Sequence, residues 1–343
     1  MTCGRCACLT LVAALAGCSA EEARESIPPY VPAEGGTTAN DAADGPQEQG
    51  APSDAAADAC AEPADAASEP PVARKLVVVT LNTHSFQEGS DSLAKLTAIG
   101  QGLASLHADI VGLNEVMSGT FWSYSYGGAV YDGADMIRSA LEVASGATWS
   151  VARAGFAHWS TGEEMSNVVL SRSALLEWDS RSLTTTDAWP GPGEKRNAVY
   201  ARTAIPGIGA VNVFVTHTWG WGSSDTLTQV QEVKAFVQDK ARGDEALTLV
   251  VGDLNVTPDH DGYAAWLGPE PLPLIDTFAQ DHPGGVPVPT TLDGNHIDYI
   301  LARPVPATQD PGAYESFLAF DGTSLPLVSD HRAVVTVFEL GAQ

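Results

Sequence analysis

The stretch Leu247 to Asn255, LTLVVGDLN, constrains this chain more than any other. Leu247, Leu249, Val250 and Val251 make an apolar run too short for a helix and β-branched enough for a buried strand. The run stops at Gly252, with Asp253 and Asn255 beyond it. Gly252 permits a close backbone approach or an unusual φ, and Asp253 and Asn255, two apart, face one side of an extended chain. The strand therefore delivers a carboxylate and an amide to one edge of a sheet. Alone, such an end is an ordinary polar turn. Repetition changes the reading. LVVVTLN ends at Asn82, DIVGLNEV carries Asn114 and Glu115, and VNVFVT runs into His217; HIDYILA opens with His296 and Asp298, and Asp330-His331 precede AVVTVFEL. Ligands and chemistry gather beyond strand ends, where several strands contribute side chains to one cleft.

Between these ends, strands and helices follow a readable order. Leu76 to Thr80 and Asp109 to Val116 read as strands. They flank a helix whose Leu93, Leu96, Ile99, Leu103 and Leu106 recur at steps of three and four, capped by Ser90 or Asp91. That is a βαβ-like opening. A second helix, Ala134 to Ala144, precedes short runs at 149–153, 167–171, 175–183, 198–205 and 211–216, whose close spacing predicts an antiparallel meander. Asp225 is expected to cap a helix bearing Leu227, Val230, Val233, Phe236 and Val237, and His296 to Ala302 and Ala333 to Leu340 supply the last strands. Five strands without an intervening helix fit poorly into the alternative, a single open α/β sheet. The pattern predicts an α+β domain of two packed, mostly antiparallel sheets flanked by helices.

Residues 1–73 have another texture. Met1 to Arg5 is short and positive, Cys6 to Ala16 is a small apolar core, and Leu15-Ala16-Gly17 precedes Cys18. This resembles the lipobox of bacterial lipoproteins. The resemblance implies cleavage before a lipidated Cys18 and export to the cell envelope, on the periplasmic or surface face of the outer membrane in a Gram-negative cell. Residues 19–73, rich in Ala, Pro, Glu and Asp, are expected to be a disordered acidic tether, leaving 74–343 as the folded domain. Residues 1–73 hold 12 of the 43 acids and 2 of the 17 bases, so the domain keeps 31 acids against 15 bases. An acidic surface has no general attraction for polyphosphate, which weighs against tight non-specific nucleic-acid binding without excluding a metal-assisted nuclease. All five cysteines precede residue 74, so the domain depends on its core and not on disulfides.

The motifs TLN (80–82), NEV (114–116), SNVVLSR (166–172), VTHT (215–218), GDLN (252–255), HIDYI (296–300) and SDH (329–331) resemble, in order and spacing, the endonuclease/exonuclease/phosphatase superfamily, the deoxyribonuclease I-like enzymes. The resemblance runs from Leu76 to Leu340 and implies a four-layer αββα sandwich and a Mg²⁺-dependent phosphoesterase. Two positions depart from it. Asn114 stands where a glutamine is usual, and His296 where an arginine is frequent. Both bear on the substrate and neither removes a core group.

Elementary chemistry assigns the same residues. A phosphodiester is anionic, so hydrolysis needs a cation on the non-bridging oxygens, a base to orient water, and donors for the transition state. Glu115, helped by the Asn82 amide, and Asp330 are the candidate metal ligands. Oxygen donors and no cysteine favour Mg²⁺, with Mn²⁺ or Ca²⁺ as alternatives. Asp253 is the candidate to align or deprotonate water, and Asn255 to bond a phosphoryl oxygen. His217 and His331 are expected as imidazolium donors, with Asp298 holding the His331 ring in its charged form. Asn167 and Arg196 are candidate substrate contacts, a structural role being open for each. The aromatic loop Phe121 to Tyr131 either lines a substrate site or packs on the domain.

These residues lead first to an exported, lipid-anchored, monomeric phosphodiesterase, with nuclease activity foremost. A sphingomyelinase-like attack on phospholipid headgroups comes second, because Trp219-Gly220-Trp221 follows His217-Thr218 and exposed aromatics suit a membrane interface. A phosphomonoesterase comes third, few Lys and Arg being left to clamp several phosphates. The rival class is a non-catalytic surface-binding lipoprotein. Retention of Glu115, Asp253 and His331 weighs against it.

Overall fold

The computed structural model describes residues 74–86, 92–120, 130–158, 162–185, 195–220, 223–241, 246–303 and 314–340. The expected signal, Cys18 and tether lie outside them, as do 121–129 of the aromatic loop, the Ser90/Asp91 cap and Trp221.

The first strand, β1 (Arg74–Asn82), shows how the layers arise. Leu76 and Val78 enter one core while Val79 and Leu81 enter another. A strand buried on both faces needs apolar residues at successive positions, which accounts for the unbroken run Leu76 to Val79. Helix α1 (Ser92–Ser105) then crosses to β2 (Ile110–Thr120), parallel to β1 with Asn82 opposite Asn114, as the βαβ opening predicts. Beyond β2 come β3 (Val130–Asp132), α2 (Gly133–Ser145), β4 (Ser150–His158) and β5 (Glu164–Ser171). The last strands in the chain, β12 (Tyr314–Ala319) and β13 (Ala333–Leu340), return to the other side of β1. Together they form a seven-stranded sheet of order β12-β13-β1-β2-β5-β4, with β3 on β2.

The second sheet takes β6 (Leu175–Ser182), β7 (Asn197–Ile205) and β8 (Gly209–Thr216), then crosses through α3 (Asp225–Lys240) to β9 (Leu247–Asp253), parallel to β8. Helix α4 (Asp261–Leu267), β10 (Ile275–Asp276), the short α5 (Thr277–Asp281) and β11 (Asp298–Ala302) follow, giving the order β10-β11-β9-β8-β7-β6. Leu96, Ile99, Leu103, Ile137 and Leu141 seat α1 and α2 on the first sheet. Val230, Val233, Phe236 and Trp266 seat α3 and α4 on the second. Between the sheets Leu76, Val78, Ile110 and Val169 meet Val199, Val213, Val251 and Ile300. The result is a four-layer αββα sandwich, an α+β fold of two mostly antiparallel sheets flanked by helices. Among the described residues no helix is long and apolar enough to cross a membrane.

Two expectations are corrected. The five short strands do not form one meander: β4 and β5 are a hairpin in the first sheet, and β6 to β8 are the meander of the second. The chain changes sheet between Ser171 and Leu175 because β5 is buried on both sides whereas β6, LLEWDSRS, is a mostly exposed edge. Asp225 is not the cap of α3 either. Ser224 takes that position, and Asp225 lies buried in the first turn, where its charge still suits the helix N-terminus.

This topology explains why polar residues converge. Each sheet holds one parallel pair, β1 with β2 and β8 with β9. Their C-terminal ends carry Asn82, Glu115, His217 and Asp253. From the antiparallel side, Asp298 opens β11 directly opposite Asp253, and Thr291 bridges to His331 just before β13.

Candidate active site

Glu115 sits where β2 slips register between Leu113 and Val116, at φ 54. A bulge with a non-glycine residue in the left-handed region costs energy, and such strain collects at functional positions. Asn82 Nδ2 donates to Glu115 Oε1 at 3.1 Å and to Asp253 Oδ2 at 3.0 Å, and Ser85 Oγ donates to Glu115 Oε2 at 3.3 Å. The Asn82 oxygen already accepts from the His84 backbone N–H at 2.9 Å. In this arrangement the Asn82 amide nitrogen ties the two carboxylates together. Asp330, at the exposed side, has its Oδ1 3.1 Å from His84 Nδ1.

The two histidines differ in charge. His331 Nδ1 donates to Asp298 Oδ2 at 2.9 Å, and its Nε2 lies 3.8 Å from both Asp253 Oδ2 and Asp330 Oδ1. Burial opposes the imidazolium, but Asp298, Asp253 and Asp330 together outweigh it and push the His331 pKa up to about 10. These charges favour the protonated His331 ring. His217 is the reverse: burial first, then the nearby Arg196 and His331, hold its pKa well below the usual histidine range. Asn255 Nδ2 donates to His217 Nε2 at 2.8 Å and to Thr218 O at 3.0 Å, so the His217 proton sits on Nδ1. That Nδ1 is buried, has no hydrogen-bond partner among the described residues, and lies 3.8 Å from Glu115 Oε1. His217 is therefore a neutral donor and not an imidazolium, and the Asn255 N–H groups hold its ring. Asp253 is buried too, and burial together with the Asp298 charge raises its pKa to about 7. Asp253, Asp298 and His331 offer ligand atoms within 4.8 Å of one another, a spacing that would admit a metal ion, although the Asp298–His331 hydrogen bond engages two of them.

The family model described as the endonuclease/exonuclease/phosphatase family matches residues 79–331, a span that holds every residue of this centre. The chain belongs to the endonuclease/exonuclease/phosphatase family. Members are phosphoric ester hydrolases, nucleases and phosphatases among them, and typically require a divalent metal ion; this chain is such a hydrolase. Comparison with curated protein sequences finds no match. Solved structures share the fold. A family protein from Leptotrichia buccalis has a TM-score of 0.62 at 15% identity, covering 77% of this chain and 99% of that one. A member from Beutenbergia cavernae has 0.59 at 23% identity, covering 78% and 72%. The catalytic domain of human nocturnin with bound sulfate has 0.57 at 15% identity, covering 79% and 96%.

Around the centre of this endonuclease/exonuclease/phosphatase enzyme, the two candidate substrate contacts separate. Arg196 is buried with its guanidinium carbon 4.7 Å from the Trp219 ring centre and 5.4 Å from that of Phe156, whose ring meets His217 edge-on at 5.9 Å. Asn167 does not face the cleft. It is fully buried and both ends of its amide are engaged, by Asn114 and Asn197. Trp219, a membrane contact only in the second-ranked phospholipid reading, is half-buried, and its backbone is held by Gln229 and Thr226. His84, Ser85 and Phe156 escaped the sequence reading. The polar pair directly after TLNT was the available signal for the first two; Phe156, mid-strand, had none.

Proposed function

We propose that this domain is a divalent-metal-dependent phosphodiesterase in which Asp253 activates water and His331 stabilises the phosphoryl oxygens. The observation that carries this reading is the linkage of four carboxylates, Glu115, Asp253, Asp298 and Asp330, gathered around His331. That excess of negative oxygen donors fits a hard cation, Mg²⁺ first and Mn²⁺ or Ca²⁺ as alternatives. Glu115 and Asp330 would hold the ion, being more exposed than Asp253 and Asp298. When bound, the ion supplies charge neutralisation at the non-bridging oxygens and the leaving group.

The protein's own groups then have distinct tasks. Asp253, whose pKa is raised to about 7 by burial and by Asp298, accepts the proton of the attacking water more readily than an ordinary carboxylate does. Asn82 and the Asn255 backbone N–H fix its two oxygens at 3.0 and 2.9 Å. His331 donates Nε2–H, and Asp298 keeps it charged and oriented. His217 donates Nδ1–H from a neutral ring. Arg196, stacked on Trp219, contributes a planar cation at the wall.

Chelation tests the metal. EDTA is expected to abolish hydrolysis of bis-p-nitrophenyl phosphate, and excess Mg²⁺ to restore it. Glu115→Gln should raise the Mg²⁺ needed for half-maximal rate by ~100-fold or more and remove the rise in melting temperature that Mg²⁺ gives the wild type. Chelator-insensitive turnover would overturn the reading. Among substrates, nucleic acid stands first, then a phospholipid headgroup, then a monoester. Parallel assays on plasmid DNA, RNA and sphingomyelin separate the diesters.

The lipobox-like Leu15-Ala16-Gly17-Cys18 supports a lipid-anchored enzyme of the cell envelope, and we take it to act as a monomer. Expressed in a bacterial host, the full chain is expected in the detergent phase of a Triton X-114 partition and Cys18→Ala in the aqueous phase. Equal partition of the two would reject the anchor.

A further inference from the structure

Gly252, at φ 138, brings β9 so close to β8 that a Cβ there would lie 2.0 Å from the Thr216 carbonyl oxygen. The parallel ladder ends one pair earlier, at Val215 and Val251. Beyond it, Thr216 C=O and Asp253 N–H need other partners. The Asn114 side chain reaches across from β2 in the opposite sheet and satisfies both, accepting from Asp253 N–H at 2.9 Å and donating to Thr216 O at 3.1 Å. Its Nδ2 also donates to Asn167 Oδ1 at 2.7 Å. Asn167 Nδ2 donates to Asn197 Oδ1 at 2.8 Å, and Asn197 Nδ2 donates to Ala154 O at 3.1 Å and Gly155 O at 3.0 Å. All three amides are at most 4% exposed. Each donor points away from Asp253, so the chain has one polarity and no member can flip alone.

The two ends of this chain are the two sides of the active site. One is the backbone of Asp253. The other is Ala154-Gly155, directly before Phe156, while Asn197 directly follows Arg196. Buried amides cost stability unless fully paired, and apolar side chains would fill a sandwich core at lower cost. We propose that Asn114, Asn167 and Asn197 are positioning residues that set Asp253 against the Phe156–Arg196 wall, so that Asn167 controls turnover without touching substrate. The inference rests on Asp253 being the base.

A matched control lies on the same strands. Ser171 in β5 shares a 2.7 Å hydrogen bond with Thr203 in β7, fully buried and at the other end of the sandwich. The full chain would be assayed with Mg²⁺ and bis-p-nitrophenyl phosphate as Asn167→Leu, Asn167→Asp and Ser171→Ala. Both Asn167 variants are expected to lower kcat by ~100-fold with KM within about threefold, because a small misplacement of a reacting group is costly. Ser171→Ala should lower the melting temperature yet leave kcat within about twofold. Hydrogen exchange at the Asp253 amide gives a readout independent of turnover: about tenfold faster in the Asn167 variants and unchanged in Ser171→Ala. Wild-type protein inactive on every phosphodiester would refute the phosphodiesterase reading, and the Asp253 amide exchange would then decide the positioning role. Unchanged Asp253 exchange in both Asn167 variants, or a kcat loss no greater than that of Ser171→Ala, would overturn the positioning role.

Discussion

Asp253→Asn is expected to lower kcat by about 10³-fold or more on any phosphodiester the wild type hydrolyses, while melting no earlier than the wild type near pH 8 in the absence of metal. The asparagine has nearly the same shape but cannot accept a proton from water. The loss should appear in kcat, with KM nearly unchanged, because the carboxylate acts on the attacking water and not on ground-state binding. The stability half of the prediction follows from cost. Burial and the neighbouring Asp298 charge make ionised Asp253 unfavourable, which is why its pKa rises to about 7. A neutral residue relieves that repulsion. Steady-state kinetics and a thermal melt decide it together: a variant retaining a tenth of wild-type kcat sinks the assignment, and one that melts far earlier shows that Asp253 supports the fold.

Much of this site was legible because its residues stand at strand ends. Apolar runs stopping at Asn82, Glu115 and Asp253, and the one opening at Asp298, advertise both the strand and the polar group at its end, and the strand pairing then brings those ends together. The polar state of each group was less legible. Asn82 and Asn255 read as groups offered to metal or phosphate, yet their amide nitrogens hold Glu115, Asp253 and His217. His217 and His331 look alike in sequence, but Asp298 lies against one ring, whereas burial and then the Arg196 charge act on the other. Such differences are set by contacts between residues far apart in the chain, and no local pattern carries them. Short elements were lost for another reason. Strands β3 and β10 and helix α5 hold between two and five residues, too few to express a period. Strand β12, YESFLA, buries only Ser316 and Ala319 fully and shows no clean alternation, and helix α4 begins at a His260 cap that propensity does not favour.

Asp298→Asn is expected to move the alkaline limit of activity downward and to cut kcat by about 10²-fold near pH 8, with the shift read from a pH–rate profile. The sign follows from what faces the ring. Burial alone would keep His331 neutral; the charges of Asp298, Asp253 and Asp330 reverse that and raise its pKa from 6.5 to about 10. An asparagine at 298 still accepts the Nδ1–H bond but removes the largest of the three charges, so the ring loses its proton at lower pH. The same shift has a consequence for the folded state. A histidine whose folded pKa lies above its unfolded value adds stability that is complete below 6.5 and lost as pH rises towards 10. Asp253 acts in the same sense lower down: raised from 3.8 to about 7, it binds a proton the unfolded chain has released, so stability falls as pH climbs through that interval. Below 6.5 the depressed His217 pKa acts in the opposite sense, so metal-free wild-type protein should melt progressively earlier from about pH 6.5 to about pH 10, and Asp298→Asn should flatten the upper part of that decline. An alkaline limit unmoved by Asp298→Asn, alongside an unchanged melting profile, would mean that Asp298 does not govern the His331 charge, and the imidazolium would have to be withdrawn from the mechanism.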